Sequence, residues 1–100
     1  MIASLSAQNF TWTEQTSNTT DWLNDIHFVD TLNGWAVGDN GTIVATVDGG
    51  VTWTTQTSGT TEKLRSVFFL SASQGWIAGG QSASSNVLLM TDDGGANWAP

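Results

Sequence analysis

Hydrophobic and polar residues alternate with a period of two along most of this chain, in short runs bounded by Gly, Asn, Asp and Ser. The runs at 23–29 (LNDIHFV), 34–38 (GWAVG), 42–47 (TIVATV) and 52–57 (TWTTQT) read as four strands. Between them lie DTLN, DNG and DGG, residue classes that accept the left-handed backbone of hairpin turns. The series then recurs at 64–70 (LRSVFFL), 75–80 (GWIAGG) and 86–91 (NVLLMT), and a last strand barely begins at Trp98. One further run, 10–16 (FTWTEQT), has the character of a fourth strand yet stands ahead of the first full set.

The recurrence is a true internal repeat. Trp12 and Trp53 lie 41 residues apart, as do Trp35 and Trp76, and the segment from Trp12 to Gly38 overlays the segment from Trp53 to Gly79 without a gap. The phrase TVDGGVTW (46–53) returns as TDDGGANW (91–98), 45 residues on, because the loop before it carries four more residues. A repeat with a loop insertion marks a repeated supersecondary unit. Four short strands in some forty residues are the signature of a β-propeller blade. The expected fold is therefore all-β: about two four-stranded antiparallel blades offset by one strand, within a larger or oligomeric propeller-like assembly.

Composition supports strands over helices, with 15 Thr and six Trp but only 11% charged residues. Nine acidic residues against two basic ones give a net charge of −7. Phosphate backbones need Lys and Arg to displace counterions, and anionic lipid repels such a chain, so nucleic acid and acidic membrane are poor partners. No run approaches the roughly 20 apolar residues of a membrane span. Without cysteine there is no disulfide framework, thiolate nucleophile or zinc knuckle. The opening MIASLSAQ reads either as the tail of a signal peptide, with Gln8 as the mature start, or as an extra strand; the former implies export.

With these residues in view, a family resemblance becomes specific. TVDGGVTW fits the Asp-box, or bacterial neuraminidase repeat, pattern of Ser/Thr-x-Asp-x-Gly-x-Thr-Trp at every position, and TDDGGANW fits with Asn97 in place of Thr. The longer GWAVGDNGTIVATVDGGVTW resembles blades of the photosystem II stability/assembly factor-like family, over about residues 10–98. That resemblance implies exported β-propellers. It also implies a structural role, away from any active centre, for Thr46, Asp48, Gly50, Thr52 and Trp53 and for Thr91, Asp93, Gly95 and Trp98.

Catalytic chemistry finds little support. Asp48, or Asp92 with Asp93, could be imagined around calcium, but neither loop offers in evident order the roughly six oxygens that ion prefers. No metal or cofactor is expected. Sialidases need a Tyr nucleophile, and the family an arginine cluster; this chain has no Tyr and one Arg, Arg65. His27 is the only histidine. A carboxylate pair such as Asp21 with Asp25, or Asp39 with Asp48, leaves a glycosidase as the enzymatic alternative. The aromatics Trp22, Trp35, Trp76, Phe28, Phe68 and Phe69 suggest a binding surface for protein or sugar, yet Trp35 and Trp76 recur in register, as packing between blades requires. Trp22 faces Lys63 in the alignment and is the expected exposed aromatic. Asn9, Asn18 and Asn40 open glycosylation sequons, and Asp30-Thr31-Leu32 resembles an O-glycosylation motif.

The expected organisation is thus 1–7 as signal remnant or extension, 8–57 as leading strand plus first repeat, and 58–100 as second repeat. The expected function is a non-catalytic, exported structural or protein-interaction module. It would assemble with copies of itself into a ring or filament through strand complementation, with Phe10, Trp12 and Trp22 as contact residues and glycan as a further ligand. The alternative is the N-terminal part of a longer secreted propeller serving as an assembly or adhesion factor.

Overall fold

The computed structural model describes residues 21–81 and 86–100, together with the backbone of 2–4 and 14–16. Two short strands come first, β1 (Ile2–Ser4) and β2 (Glu14–Thr16), paired antiparallel. A four-stranded meander follows: β3 (Leu23–Phe28), β4 (Gly34–Gly38), β5 (Ile43–Thr46) and β6 (Thr54–Gln56), in spatial order β3-β4-β5-β6. We call it blade A. A second meander, blade B, consists of β7 (Leu64–Phe69), β8 (Gly75–Gly79) and β9 (Val87–Thr91). Ala99 opens its fourth strand with a single bridge to Met90.

Blade B copies blade A in detail. Both carry a bulge one residue into the first strand, at Leu23/Asp25 and at Leu64/Ser66. Trp35 pairs with Ala45 as Trp76 pairs with Met90, and the Met90–Ala99 bridge takes the place of the Ala45–Thr54 pair. The leading strand was expected as 10–16; within the described residues it covers Glu14–Thr16 and has a companion in Ile2–Ser4. Their register is that of third and fourth blade strands, since Ala3 faces Gln15 as Ile43 faces Gln56. Among the described residues, two strands therefore precede blade A.

Directly opposed residues share a face of a sheet. One face of blade A, its trailing face, carries Trp35, Val37, Ile43 and Ala45. These interleave with Leu64, Val67, Phe69, Ile77 and Leu89 from the leading face of blade B, and all nine are buried in one core. At about 1.5–3 kcal/mol per large side chain withdrawn from water, this junction dominates the stability of the pair. The opposite, leading face of blade A holds a smaller core of Ala36, Val44 and Trp53, with Ile26 and Phe28 against it.

Candidate functional site

The two Asp-box turns are superposable networks. In the first, the Thr46 hydroxyl donates to Asp48 Oδ1 at 2.7 Å and accepts from the Gly50 amide at 2.9 Å. Asp48 Oδ1 also accepts from the Thr52 amide at 2.9 Å, and Oδ2 from the Thr52 hydroxyl at 2.6 Å. In the second, Thr91 and Asp93 repeat these bonds, and Asn97 Nδ2 reaches Asp93 Oδ2 at 2.8 Å where Thr52 used its hydroxyl. Asn97, the one departure from the motif, keeps the same bond. Gly50 and Gly95 sit at φ 95° and 93°, a backbone that side chains rarely adopt.

Donors clustered on one carboxylate favour its charged form. The Thr52 hydroxyl, then the Thr52 amide and the Thr46 hydroxyl, hold Asp48 at a pKa of about 2. The Thr91 hydroxyl followed by the Asn97 side chain does the same for Asp93, also to about 2. Both oxygens of each carboxylate receive N–H or O–H groups from their own turn, an arrangement that fixes the turn rather than presenting lone pairs to a cation.

Beyond folding the hairpin, the second Asp-box fastens two further elements. The Gly94 amide donates to the Ser73 carbonyl at 2.9 Å, tying the hairpin to the β7–β8 turn of its own blade; Gly49 does likewise to Leu32 at 3.0 Å. The Gly94 carbonyl accepts from blade A, taking Trp35 Nε1 at 3.1 Å and Gln56 Nε2 at 3.1 Å. Trp98 Nε1 in turn donates to Gln56 Oε1 at 3.2 Å. Trp35 lies flat on Phe69, with ring centroids 3.5 Å apart and planes at 7°, while Trp98 meets the edge of Phe69 at 5.7 Å. The hairpin expected to fold each blade back on itself thus also clasps the neighbouring blade. Gln56 was not singled out from the sequence, although the conserved spacing of Gln15 and Gln56 within the repeat was a usable signal. Trp53 Nε1, the counterpart of Trp98 Nε1, is buried without a hydrogen-bond partner among the described residues.

The remaining candidates separate widely. Phe10 and Trp12 lie outside the described residues, as do Asn9 and Asn18. Trp22 is 72% exposed, and its carbonyl accepts from the Asp39 amide. Trp35 and Phe69 are buried, Trp76 and Phe28 half-buried, and Phe68 is exposed with His27 edge-on to its ring at 5.1 Å. The acids of the hypothetical glycosidase pairs are all engaged: Asp21 accepts from Asn40 and Thr42, Asp25 from the Ile26 and Val67 amides, and Asp39 from Asn24. Asn40 occupies a left-handed turn at φ 61°, and Asp30 caps the β3–β4 turn by accepting from the Leu32 and Asn33 amides, leaving Thr31 at an exposed tip.

Blade B offers a contrasting surface. Trp76, Ala78, Leu88 and Met90 hold on its trailing face the positions that Trp35, Val37, Ile43 and Ala45 hold on blade A. Leu88 is 63% and Met90 48% exposed, with Phe68, 52% exposed, beside Trp76. Sequence reasoning placed Trp76 in the core with Trp35; it is half-buried because no described element covers this face. Along β9, the described residues pair with the outer edge at Met90 alone.

Known proteins share this architecture. A solved structure described as YCF48 bound to D1 peptide is 33% identical, with a TM-score of 0.76, over 97% of this chain and 31% of its own. YCF48 from Cyanidioschyzon merolae is 30% identical, with a TM-score of 0.67, over 81% of this chain and 26% of its own. The chain therefore spans about a third or less of the length of these propellers. No curated protein matches it. The family model of the photosynthesis system II assembly factor YCF48 matches residues 4–100. On its repeat, its blades and that match, the chain belongs to the YCF48 assembly-factor family.

Proposed function

We propose that the chain is a non-catalytic protein-binding module whose blades present a surface to an extended segment of a partner protein. The carrying observation is the similarity, across 97% of the chain, to a propeller described as bound to a D1 peptide. The geometry agrees with it. Blade B presents an apolar face of Trp76, Leu88 and Met90 that no described element covers, and such a face can read the side chains of an extended segment. The commitment of Asp21, Asp25 and Asp39 to turns and strand edges favours this reading over a glycosidase.

Fluorescence anisotropy of a labelled D1 peptide titrated with the chain tests it. Saturable binding that weakens when Leu88 is replaced by Lys supports the reading, and absence of binding rejects it. Glycoside hydrolysis that disappears in Asp21→Asn or Asp39→Asn would restore the enzymatic alternative. Export, and copies of the chain as partners, belong to the same reading; cell fractionation decides the first.

A further inference from the structure

The antiparallel meanders give the pair of blades two ends. One end gathers the β3–β4 and β7–β8 turns and both Asp-box hairpins; the other holds the β4–β5 turn and the links that enter β3 and β7. At the Asp-box end, blade A exposes three aliphatic side chains: Leu32 at 52%, Val47 at 74% and Val51 at 80%. They lie together, because the amide of Gly49, between the two valines, donates to the Leu32 carbonyl at 3.0 Å. One repeat later the same positions are Ser73, Asp92 and Ala96, all exposed. The blade fold therefore does not require aliphatic side chains there. Nor does a flanking blade cover these positions. The trailing side of blade A and the leading side of blade B are sealed in one junction, and the end positions of both blades stay exposed beside it. Leu70, also exposed, is set apart, since its counterpart Val29 packs against the junction core.

Charge at this end has a single sign. Its charged residues among those described are Asp30, Asp48, Asp92 and Asp93. The two basic residues belong to the opposite end, where Lys63 lies 4.0 Å from Asp39 and Arg65 Nε donates to the Gly80 carbonyl. Asp48 and Asp93, with pKa values of about 2, keep their charge at any ordinary pH. We infer that the Asp-box end of blade A docks a cationic segment of another protein. An aliphatic or aromatic side chain of that segment packs on Leu32, Val47 and Val51, and its flanking Lys or Arg side chains lie in the field of the four carboxylates. The same field repels an anionic lipid surface, and a second copy of the chain, at net charge −7, is repelled as well. The surface is separate from the trailing face of blade B and goes beyond the D1-peptide reading.

Fluorescence anisotropy of a labelled peptide, GKLKVKG, titrated with the chain at low salt tests the inference. GKSKSKG keeps the charge without the apolar side chains, and GELEVEG reverses the charge. GKLKVKG should bind and weaken as salt rises, GKSKSKG should bind at least about tenfold more weakly, and GELEVEG should not bind. Leu32→Ser/Val51→Ala installs the residues that blade B carries at these positions and should weaken GKLKVKG binding by about tenfold. Far-UV circular dichroism establishes that this variant folds; if it does not, Val51→Ala alone replaces it. In the isotopically labelled chain, GKLKVKG should shift the amide resonances of 29–34 and 46–53. No binding of GKLKVKG overturns the inference. So does equal binding of GKSKSKG, undiminished binding by the folded variant, or resonance shifts centred on Leu88 and Met90. Leu88→Lys, which tests the D1-peptide reading, should leave GKLKVKG binding unchanged, so either reading can fail without the other.

Discussion

Replacing Gln56 with Leu removes the amide that bridges the blades while preserving side-chain bulk. Two hydrogen bonds disappear, one to the Gly94 carbonyl at 3.1 Å and one from Trp98 Nε1 at 3.2 Å. Each such bond contributes about 0.5–1.5 kcal/mol net, so the loss lies between about 1 and 3 kcal/mol. Two features set the value near the middle. The Gly94 carbonyl keeps Trp35 Nε1, and half-buried Trp98 retains some access to water. The expected cost is about 2 kcal/mol, equivalent to a fall in Tm of about 8–16 °C for a chain of this size. Urea unfolding followed by tryptophan fluorescence measures it, with the m-value unchanged. Thr55→Ala, an exposed change on the same strand, should stay within about 0.5 kcal/mol and serves as control. Combining Gln56→Leu with Trp98→Phe should show coupling of about 0.5–1.5 kcal/mol. A Gln56→Leu cost no larger than the control, or zero coupling, would mean that apolar burial alone joins the blades and the clasp contributes nothing.

Other expectations follow from the same geometry. Trp35→Ala should cost about 3–5 kcal/mol in urea unfolding, while Trp76→Ala at low protein concentration should cost less than half as much; equal costs would show the two faces to be buried alike. Gly75→Ala places a methyl 2.6 Å from ring carbons of Phe69, so it should displace that ring from Trp35, lower stability by about 1–3 kcal/mol and change the near-UV circular dichroism. The folded pKa of about 2 for Asp48 and Asp93 lies below the ordinary 3.8, so their stabilising effect is complete above the ordinary value and lost as pH falls through 2. Carboxyl titration by NMR should give midpoints near 2 for both residues, and midpoints near 3.8 would show that the turns do not hold their networks in solution.

Most of the blade plan was legible because a period of two and Asp-Gly-Gly turns are local signals. The strands predicted at 34–38 and 64–70 appear as Gly34–Gly38 and Leu64–Phe69, and the repeat offsets of 41 and 45 align the two blades residue by residue. The Asp-box turns are held by bonds among Thr, Asp and Gly at fixed spacing, all contained within eight residues and so local in sequence. What escaped notice depends on contacts between distant residues. Gln56 lies 38 positions from Gly94, and its recurrence in register with Gln15 marks it as a repeat position without saying what it bonds. The unequal fates of Trp35 and Trp76 were equally invisible: identical local sequence places both on a trailing face, and only the presence of a neighbouring blade buries one of them.

Identical repeats do not make identical junctions, and the difference lies where β3 runs beside β7. Across that edge Asn24 Nδ2 donates to the Leu64 carbonyl at 2.9 Å, and Asp25 Oδ2 accepts the Val67 amide at 2.9 Å. The residues that follow 41 positions later are Arg65 and Ser66. Arginine can donate as Asn24 does, but serine offers one short hydroxyl in place of the charged carboxylate that accepts the Val67 amide. Arg65 instead turns its Nε to the Gly80 carbonyl within blade B, at 2.6 Å. The internal junction is therefore fastened twice, at the Asp-box by Gln56 and at the strand edge by Asn24 and Asp25.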